Sequence, residues 1–442
     1  MGIPSFLVSS SALRSLFWFA WLSSAQAAPV LETGPTPQLN SPSPARIQFS
    51  KVVGWPEGIT PRAPEGFWVG EYARNLVSPR NLYEGPNGDV FVAEANTELQ
   101  GKGFKKEVLD LIGYTRSQYT ETCACRITLL RDTDHDGHPD VQEVMISGLN
   151  QPYGMVIHQG FFYIAETDGV WRYPYTPGQT RLSKAERQPV LELPAGGYNN
   201  HWTRNLIKHP AQNKLYVSVG SGSNIAENGL SNEIRRANIL EIDLDTQNSR
   251  VFASGLRNPV GMSWSKQGSN QRQLWTVVNE RDGLGDTLVP DYLTGLRDGD
   301  FFGWPYSYFG QNIDPRVKPQ RPEQLQQTRV PDFALGAHTA SLGLDFYHQQ
   351  GFPDRYHQGA FIGQHGSWNR SHLVGYQVAF VPFRNGKPSG PLEPFLTGFI
   401  ADRAQATAYG RPVGVTVLRN GNLLVADDAG HRIWQVRPLP GF

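Results

Sequence analysis

The chain has 442 residues, 40 of them basic and 40 acidic, so its formal net charge is zero. A surface balanced in this way gives no electrostatic reason to expect nucleic acid or an anionic membrane as a partner. The 46 glycines and 33 prolines exceed ordinary usage and suit short strands joined by turns, and two cysteines are too few for a disulfide scaffold.

The first segment reads as an export signal, residues 1–27, with Arg14 as its positive charge. Its apolar stretch runs from Leu16 to Leu22, and Ala25-Gln26-Ala27 forms a small-x-small cleavage site. That stretch is far shorter than the roughly 20 residues that span a bilayer. No later segment is apolar enough, so a periplasmic or secreted protein without a membrane span is expected. Residues 28–65 are rich in Pro, Ser and Thr and read as a linker or a strap over the surface.

Residues 66–442 repeat one phrase, a Gly- or Asn-containing turn followed by an apolar strand. It appears before Val90, Phe161, Leu215, Leu274, Phe361 and Leu423, and a second strand follows most copies. Short apolar strands such as 154–157 and 414–417 precede some of them. One amphipathic helical pattern, 104–116, interrupts the series. A small antiparallel sheet recurring every 50 to 85 residues or so cannot bury both faces alone, whereas a closed ring of such sheets can. The expectation is an all-β, six-bladed β-propeller of four-stranded antiparallel sheets.

Cys123 and Cys125 stand one residue apart. They read as structural cysteines, reduced or locally bonded, with a redox disulfide or half of a metal site as the functional alternative. Immediately after them, residues 132–143 fit the twelve-residue calcium loop. Asp132, Asp134, Asp136 and Asp140 supply carboxylates, Gly137 stands at the sharp turn, His138 offers its carbonyl, and Glu143 closes the loop. Strand-like flanks make this a structural clip between strands.

A propeller binds ligands at the mouth of its central channel, so the loops around the inner strands carry the chemistry. These loops hold Gln151, His201, Arg204, Asn224, Arg257, His338, His365, Arg370 and Arg411. Several arginines around one cavity favour a polyanionic ligand, because each guanidinium grips a carboxylate in two places. A histidine among them is placed to act as a base.

Residues 149–154, 201–204, 255–261, 279–305, 364–370 and 411–414 resemble the glucose/sorbosone dehydrogenase family, its sorbosone dehydrogenase-like branch above all. The resemblance covers nearly all of the chain after the signal. It implies a periplasmic enzyme that uses pyrroloquinoline quinone (PQQ) and calcium to oxidise an aldose or a sugar-derived aldehyde. The quinone's electrons would pass to a periplasmic or membrane acceptor. By the same resemblance His201 is the general base while hydride passes to the quinone, and Gln151, Asn224, Arg370 and Arg411 contact the quinone. Arg204 and Arg257 either join them or brace the loops.

The sequence departs from the soluble glucose dehydrogenases at Trp202-Thr203, at Val413 in place of a second arginine, and in a shorter loop over 225–233. Two other functions fit a propeller. A lactonase-type hydrolase would hold a metal on Glu280, Asp282 and Asp286, and a non-catalytic propeller would bind a sugar or a protein.

Overall fold

A computed structural model describes residues 32–98, 106–267 and 271–441. The export-signal reading of residues 1–27 lies outside the described residues. Among the described residues no helix is long and apolar enough to cross a membrane. The helix expected over 104–116 is a single short turn-and-a-half, Lys106–Leu111.

The sheets follow one another along the chain. The first is Pro79–Glu84, Val90–Glu94, Arg126–Arg131 and Val141–Ser147; the second is Met155–His158, Phe161–Glu166, Gly169–Pro174 and Gln188–Glu192. The third joins Leu206–Lys208, Lys214–Val219, Asn238–Asp243 and Ser249–Ser254, with Asp300–Phe301 added in parallel. The fourth joins Pro259–Gln267, Gln271–Val278, Pro290–Gly295 and Phe333–Ala337, with Thr33–Gly34 added from the N-terminal strap. The fifth is Ser341–Phe346, Ala360–Gln364, Gln377–Val381 and Glu393–Leu396. In the sixth, Pro412–Val417, Leu423–Asp427 and Arg432–Pro438 are completed by Phe67–Ala73, so both ends of this region share one sheet.

Each apolar strand of the repeated phrase becomes the second strand of its sheet. Val90–Glu94, Ala360–Gln364 and Leu423–Asp427 are buried throughout. A strand sandwiched between neighbouring sheets must be apolar on both faces, which is why these segments read as unbroken apolar runs. The hydrophobic clusters lie between consecutive sheets. Phe91, Ile127, Phe162 and Ile164 pack between the first and second, and Tyr72, Leu76, Val92, Leu424 and Ile433 between the sixth and first.

Around the axis the innermost strands touch in cyclic order through a second phrase. Its copies are Pro79-Arg80-Asn81-Leu82, Pro152-Tyr153-Gly154-Met155, Thr203-Arg204-Asn205-Leu206, Pro259-Val260-Gly261-Met262, Ser341-Leu342-Gly343-Leu344 and Pro412-Val413-Gly414-Val415. The Asn81 amide donates to Tyr153 O at 3.1 Å and the Asn205 amide to Val260 O at 2.8 Å. Where glycine holds the third position, the next backbone presses in. A Cβ on Gly343 would stand 2.1 Å from Val413 O, and one on Gly414 2.7 Å from Arg80 O. Tyr153, Val260, Leu342 and Val413, all in the second position, form a buried apolar plug on the axis.

The strap makes specific contacts with the loops at one end of the ring. Ser43 N donates to Leu284 O, Gln48 N to Trp368 O and Val52 N to Arg116 O. Trp55 is buried and its indole donates to Asp427 at 2.7 Å. Cys123 and Cys125 are bonded to each other. Both lie before Arg126–Arg131 rather than within it, and Cys125 has a φ of 45°, a loop backbone that admits the short bridge. The pair is therefore locally bonded rather than reduced, as both the structural reading and the redox-disulfide alternative allow.

Candidate active site at the ring mouth

The loops before the innermost strands and after the second strands gather at one end of the axis, above the apolar plug. Two linked networks occupy this mouth.

The first contains His201. Its Nδ1 lies 2.8 Å from Ser221 O and 3.0 Å from Ser221 Oγ. A carbonyl only accepts, and the Ser221 hydroxyl already donates to Ser223 O at 2.6 Å. Nδ1 therefore carries the proton, and Nε2 is the basic nitrogen. Glycine at 220 allows this approach, because a Cβ there would meet the His201 Cβ at 2.6 Å and Asn258 Oδ1 at 2.4 Å.

Beside it, Arg257 is buried, and its guanidinium donates to Asn224 Oδ1 at 2.9 Å, Asp282 Oδ2 at 3.0 Å and Glu280 O at 2.8 Å. Asn224 returns a bond from its amide to Asp282 O at 3.1 Å. Asp282 also faces His338 Nδ1 at 3.4 Å, and His338 Nε2 donates to Gly285 O at 2.8 Å. Burial works to raise the Asp282 carboxyl, but Arg257, His338 and His201 outweigh it and hold it below the usual carboxylate range. His338 is raised; burial opposes this and the Asp282 carboxylate prevails. Arg370 closes this side: it grips Glu32 of the strap at 3.0 and 3.1 Å and donates to Ala337 O at 3.3 Å.

The second network begins at Trp202, whose indole donates to Thr97 Oγ1 at 3.0 Å and whose ring lies 5.4 Å from the Arg80 guanidinium. Arg80 donates to Asp428 at 2.5 Å, and His365 Nε2 meets the same carboxylate at 2.9 Å. Burial first and the nearby Arg411 charge second push His365 down to about 4, so it is neutral at physiological pH. Gln151 is buried with a φ of 48°, donates to Asn96 O at 2.8 Å and accepts from Thr167 at 3.3 Å.

Two of the arginines named from sequence turn out to hold loops. Arg204 is fully buried and donates to His201 O, Thr203 O and Pro194 O at 2.7, 3.1 and 2.9 Å. Arg411 donates to His365 O, Ser117 O and Gly366 O at 2.9, 2.9 and 2.8 Å. Both guanidinium groups thus brace backbone carbonyls of the mouth loops. Sequence reasoning passed over Arg80 and Asp428. The signal for Arg80 was the axial phrase, in which Arg80 and Arg204 stand where the four other sheets place Tyr, Val or Leu.

Of the nineteen buried polar side-chain atoms without a hydrogen-bond partner among the described residues, Arg80 Nε, Asn96 Oδ1, Asn258 Oδ1 and Arg370 Nε lie at the mouth. Leaving such atoms unpaired is costly, and a polar ligand at the mouth would satisfy these four. Among the described residues, Glu280, Asp282 and Asp286 are not gathered as a metal-holding group. Glu280 pairs with Arg281, Asp282 with Arg257, and Asp286 with Ser371.

In the acidic loop, Asp132, Asp134 and Asp136 bring their carboxylate oxygens within 4.8 Å of one another. Asp132 Oδ1 is buried without a partner, and its Oδ2 accepts from Gly137 N at 2.9 Å. These three fit a hard divalent cation. Asp140 instead accepts from Thr133 Oγ1 at 2.7 Å. Glu143 sits exposed in Val141–Ser147, paired with Leu129, outside that group, and the His138 ring faces Trp68. The twelve-residue pattern is thus gathered in its first half only, because its last position has been drawn into a sheet.

An all-β ring with a histidine, arginines and carboxylates at one mouth defines a class of propeller-like proteins. The family model TrAA12-like matches residues 61–290 and 314–438, and the chain belongs to this family. An uncharacterized protein of Borreliella burgdorferi is 26% identical over 85% of this chain and 90% of its own length. A pyrroloquinoline quinone-dependent pyranose dehydrogenase of Coprinopsis cinerea is 24% identical over 89% of this chain. The match spans only 57% of that relative's length. Among solved structures, the holo PQQ domain of the Coprinopsis cinerea pyranose dehydrogenase superposes with a TM-score of 0.68, at 20% identity, over 88% of this chain and all of that one. A calcium structure of the Trichoderma reesei carbohydrate-active enzyme family AA12 gives the same TM-score at 19% identity, over 86% and 97%.

Proposed function

We propose that this chain is an exported, six-bladed quinoprotein that oxidises an aldose or other pyranose sugar with PQQ and calcium. The supporting observation is His201, held by Ser221 as the Nδ1–H tautomer beside the Asn224–Arg257–Asp282 network at the mouth. The six sheets, their cyclic axial contacts and the family membership support six blades around that mouth.

When bound, the quinone supplies a two-electron acceptor. Gln151, Asn224 and Arg370 would hold its carbonyls and carboxylates, with Arg257 fixing Asn224; Arg204 and Arg411 would shape the loops. Calcium suits Asp132, Asp134 and Asp136. His201 Nε2 takes the proton of the sugar hydroxyl, and the Ser221 carbonyl stabilises the imidazolium that results by accepting from Nδ1–H. The Asp282 carboxylate favours the same charge electrostatically. A positioned base of this kind contributes about 10²–10⁴ in rate. The reduced cofactor would pass its electrons to a periplasmic or membrane acceptor. The sugar-derived aldehyde of the sorbosone-like branch remains within this reading as an alternative substrate.

The test is to titrate the apo-protein with PQQ and calcium, follow the bound chromophore, and assay a panel of aldoses with an artificial dye. His201→Gln is expected to keep the chromophore and lose turnover by at least a hundredfold. Full turnover in that variant, or no quinone binding by the wild type, overturns the proposal.

A further inference from the structure

A cavity lies at the end of the ring opposite His201, between the third and fourth sheets. Its residues fix this position. His209 follows the innermost strand Leu206–Lys208, Trp264 stands late in Pro259–Gln267, and Arg297 lies just past Pro290–Gly295. The cavity holds about 470 Å³, within the range of about 300–1,000 Å³ found for small-molecule sites.

Its wall is aromatic and braced. The Trp264 indole donates to Lys208 O at 2.9 Å, and its ring meets His209 at 5.1 Å and Tyr216 at 5.7 Å between centroids. Tyr216 packs on Phe252 at 5.0 Å and donates to Glu241 at 2.8 Å. Lys214 and Arg250 neutralise Glu241 at 3.1 and 3.0 Å, so it does not make the cavity acidic.

The cationic groups and His209 are donors, and the Gln212 and Gln273 amides can both donate and accept. His209 Nδ1 accepts from Ala211 N and Gln212 N at 3.0 and 2.8 Å, which leaves the proton on Nε2. Burial, then the Lys214 charge, lowers its pKa, so it stays a neutral N–H donor. Arg272 and Arg297 line the rim, both exposed, and neither guanidinium has an ion-pair partner among the described residues. Lys387, the remaining cation, is paired with Asp332 at 2.9 Å.

We propose that this cavity binds an acidic saccharide, with a uronate carboxylate held by Arg272 and Arg297 and the apolar face of the pyranose against Trp264 and Phe252. An arginine pair matches a carboxylate through charge-assisted forked bonds. His209 and Gln212 supply hydrogen bonds suited to ring hydroxyls. The assignment is independent of the redox chemistry at the mouth.

Calorimetric titration of the full-length protein with trigalacturonate and with neutral galactotriose tests it, using wild type, His201→Gln and the double variant Arg272→Ala/Arg297→Ala. Trigalacturonate should bind at least tenfold more tightly than galactotriose, and more weakly as salt rises. The arginine double variant should lose tenfold or more while keeping its melting temperature and its quinone titration, and His201→Gln should bind as wild type does. Equal binding of the two trisaccharides, undiminished binding by the arginine variant, or no heat with wild type at millimolar trigalacturonate each overturns the proposal. Failure of sugar oxidation leaves these readouts intact.

Discussion

Gly343→Ala probes how tightly the ring is closed. A Cβ at this position falls 2.1 Å from Val413 O and 3.1 Å from Val415 N. Carbon–oxygen contacts between strands settle at about 3.3 Å, so the fifth and sixth sheets must part by roughly 1 Å. No rotamer change relieves this, because the obstructing atoms are backbone. Register holds both sides, with Gly343 opposite Gly363 and Val415 opposite Val425.

Overpacking of this kind costs about 1–3 kcal/mol, and a backbone obstruction belongs at the upper end. At about 2.1 cal/mol/K of unfolding entropy per residue, a chain of this length has roughly 0.9 kcal/mol/K, so the melting temperature should fall by about 3 °C. Scanning calorimetry should compare wild type, Gly343→Ala and Gly196→Ala, since a Cβ at Gly196 meets nothing within 4 Å. Gly196→Ala should melt with wild type or slightly above it. If Gly343→Ala melts with Gly196→Ala, the axis has slack and the argument for tight closure is wrong.

Calcium at about a hundred times its Kd should stabilise the wild type by about 2.7 kcal/mol, and Asp132→Asn should abolish most of the corresponding melting shift; an equal shift in the variant removes Asp132 from the site. His365 bears on acid stability: its folded pKa of about 4 lies below the ordinary 6.5, so the unfolded chain binds the proton more readily and stability falls from pH 6.5 towards 4, by at most about 3 kcal/mol. Asp291 and Asp345, raised to about 6 mainly by burial, tilt the curve the other way, so the effect is read as the difference in slope between wild type and His365→Gln, and parallel curves would refute it. Arg411→Gln removes a charged donor from three buried carbonyls and should cost about 2–4 kcal/mol in urea unfolding with little change in quinone affinity; unchanged stability with weakened quinone binding would make Arg411 a ligand instead.

The all-β architecture was legible because each second strand is enclosed on both faces and advertises itself as an apolar run behind a turn, as at Asn87-Gly88 before Val90. The axial phrase was harder to see. Its second position varies from Val413 to Arg80, and only the close approach at its third position unites the copies. At the mouth, the sequence could place arginines in loops, but could not say whether each guanidinium faces a ligand or a carbonyl. The carbonyls that engage Arg411 come from Ser117, His365 and Gly366, and nothing in residue identity marks a backbone acceptor. The calcium pattern misled at Glu143 for a related reason. Spacing alone does not register that Val141 already begins a ladder with Arg131.

The pairing of Phe67–Ala73 with Arg432–Pro438 has a consequence for biosynthesis. The partner of that strand is synthesised more than 350 residues after it. Until then Phe67–Ala73 has nothing to bond, and the circle stays open however well each sheet has formed. A chain cut short before residue 432 would therefore lose more than one strand: it would expose two raw edges and the apolar flanks of the first and fifth sheets, the surfaces by which such fragments aggregate.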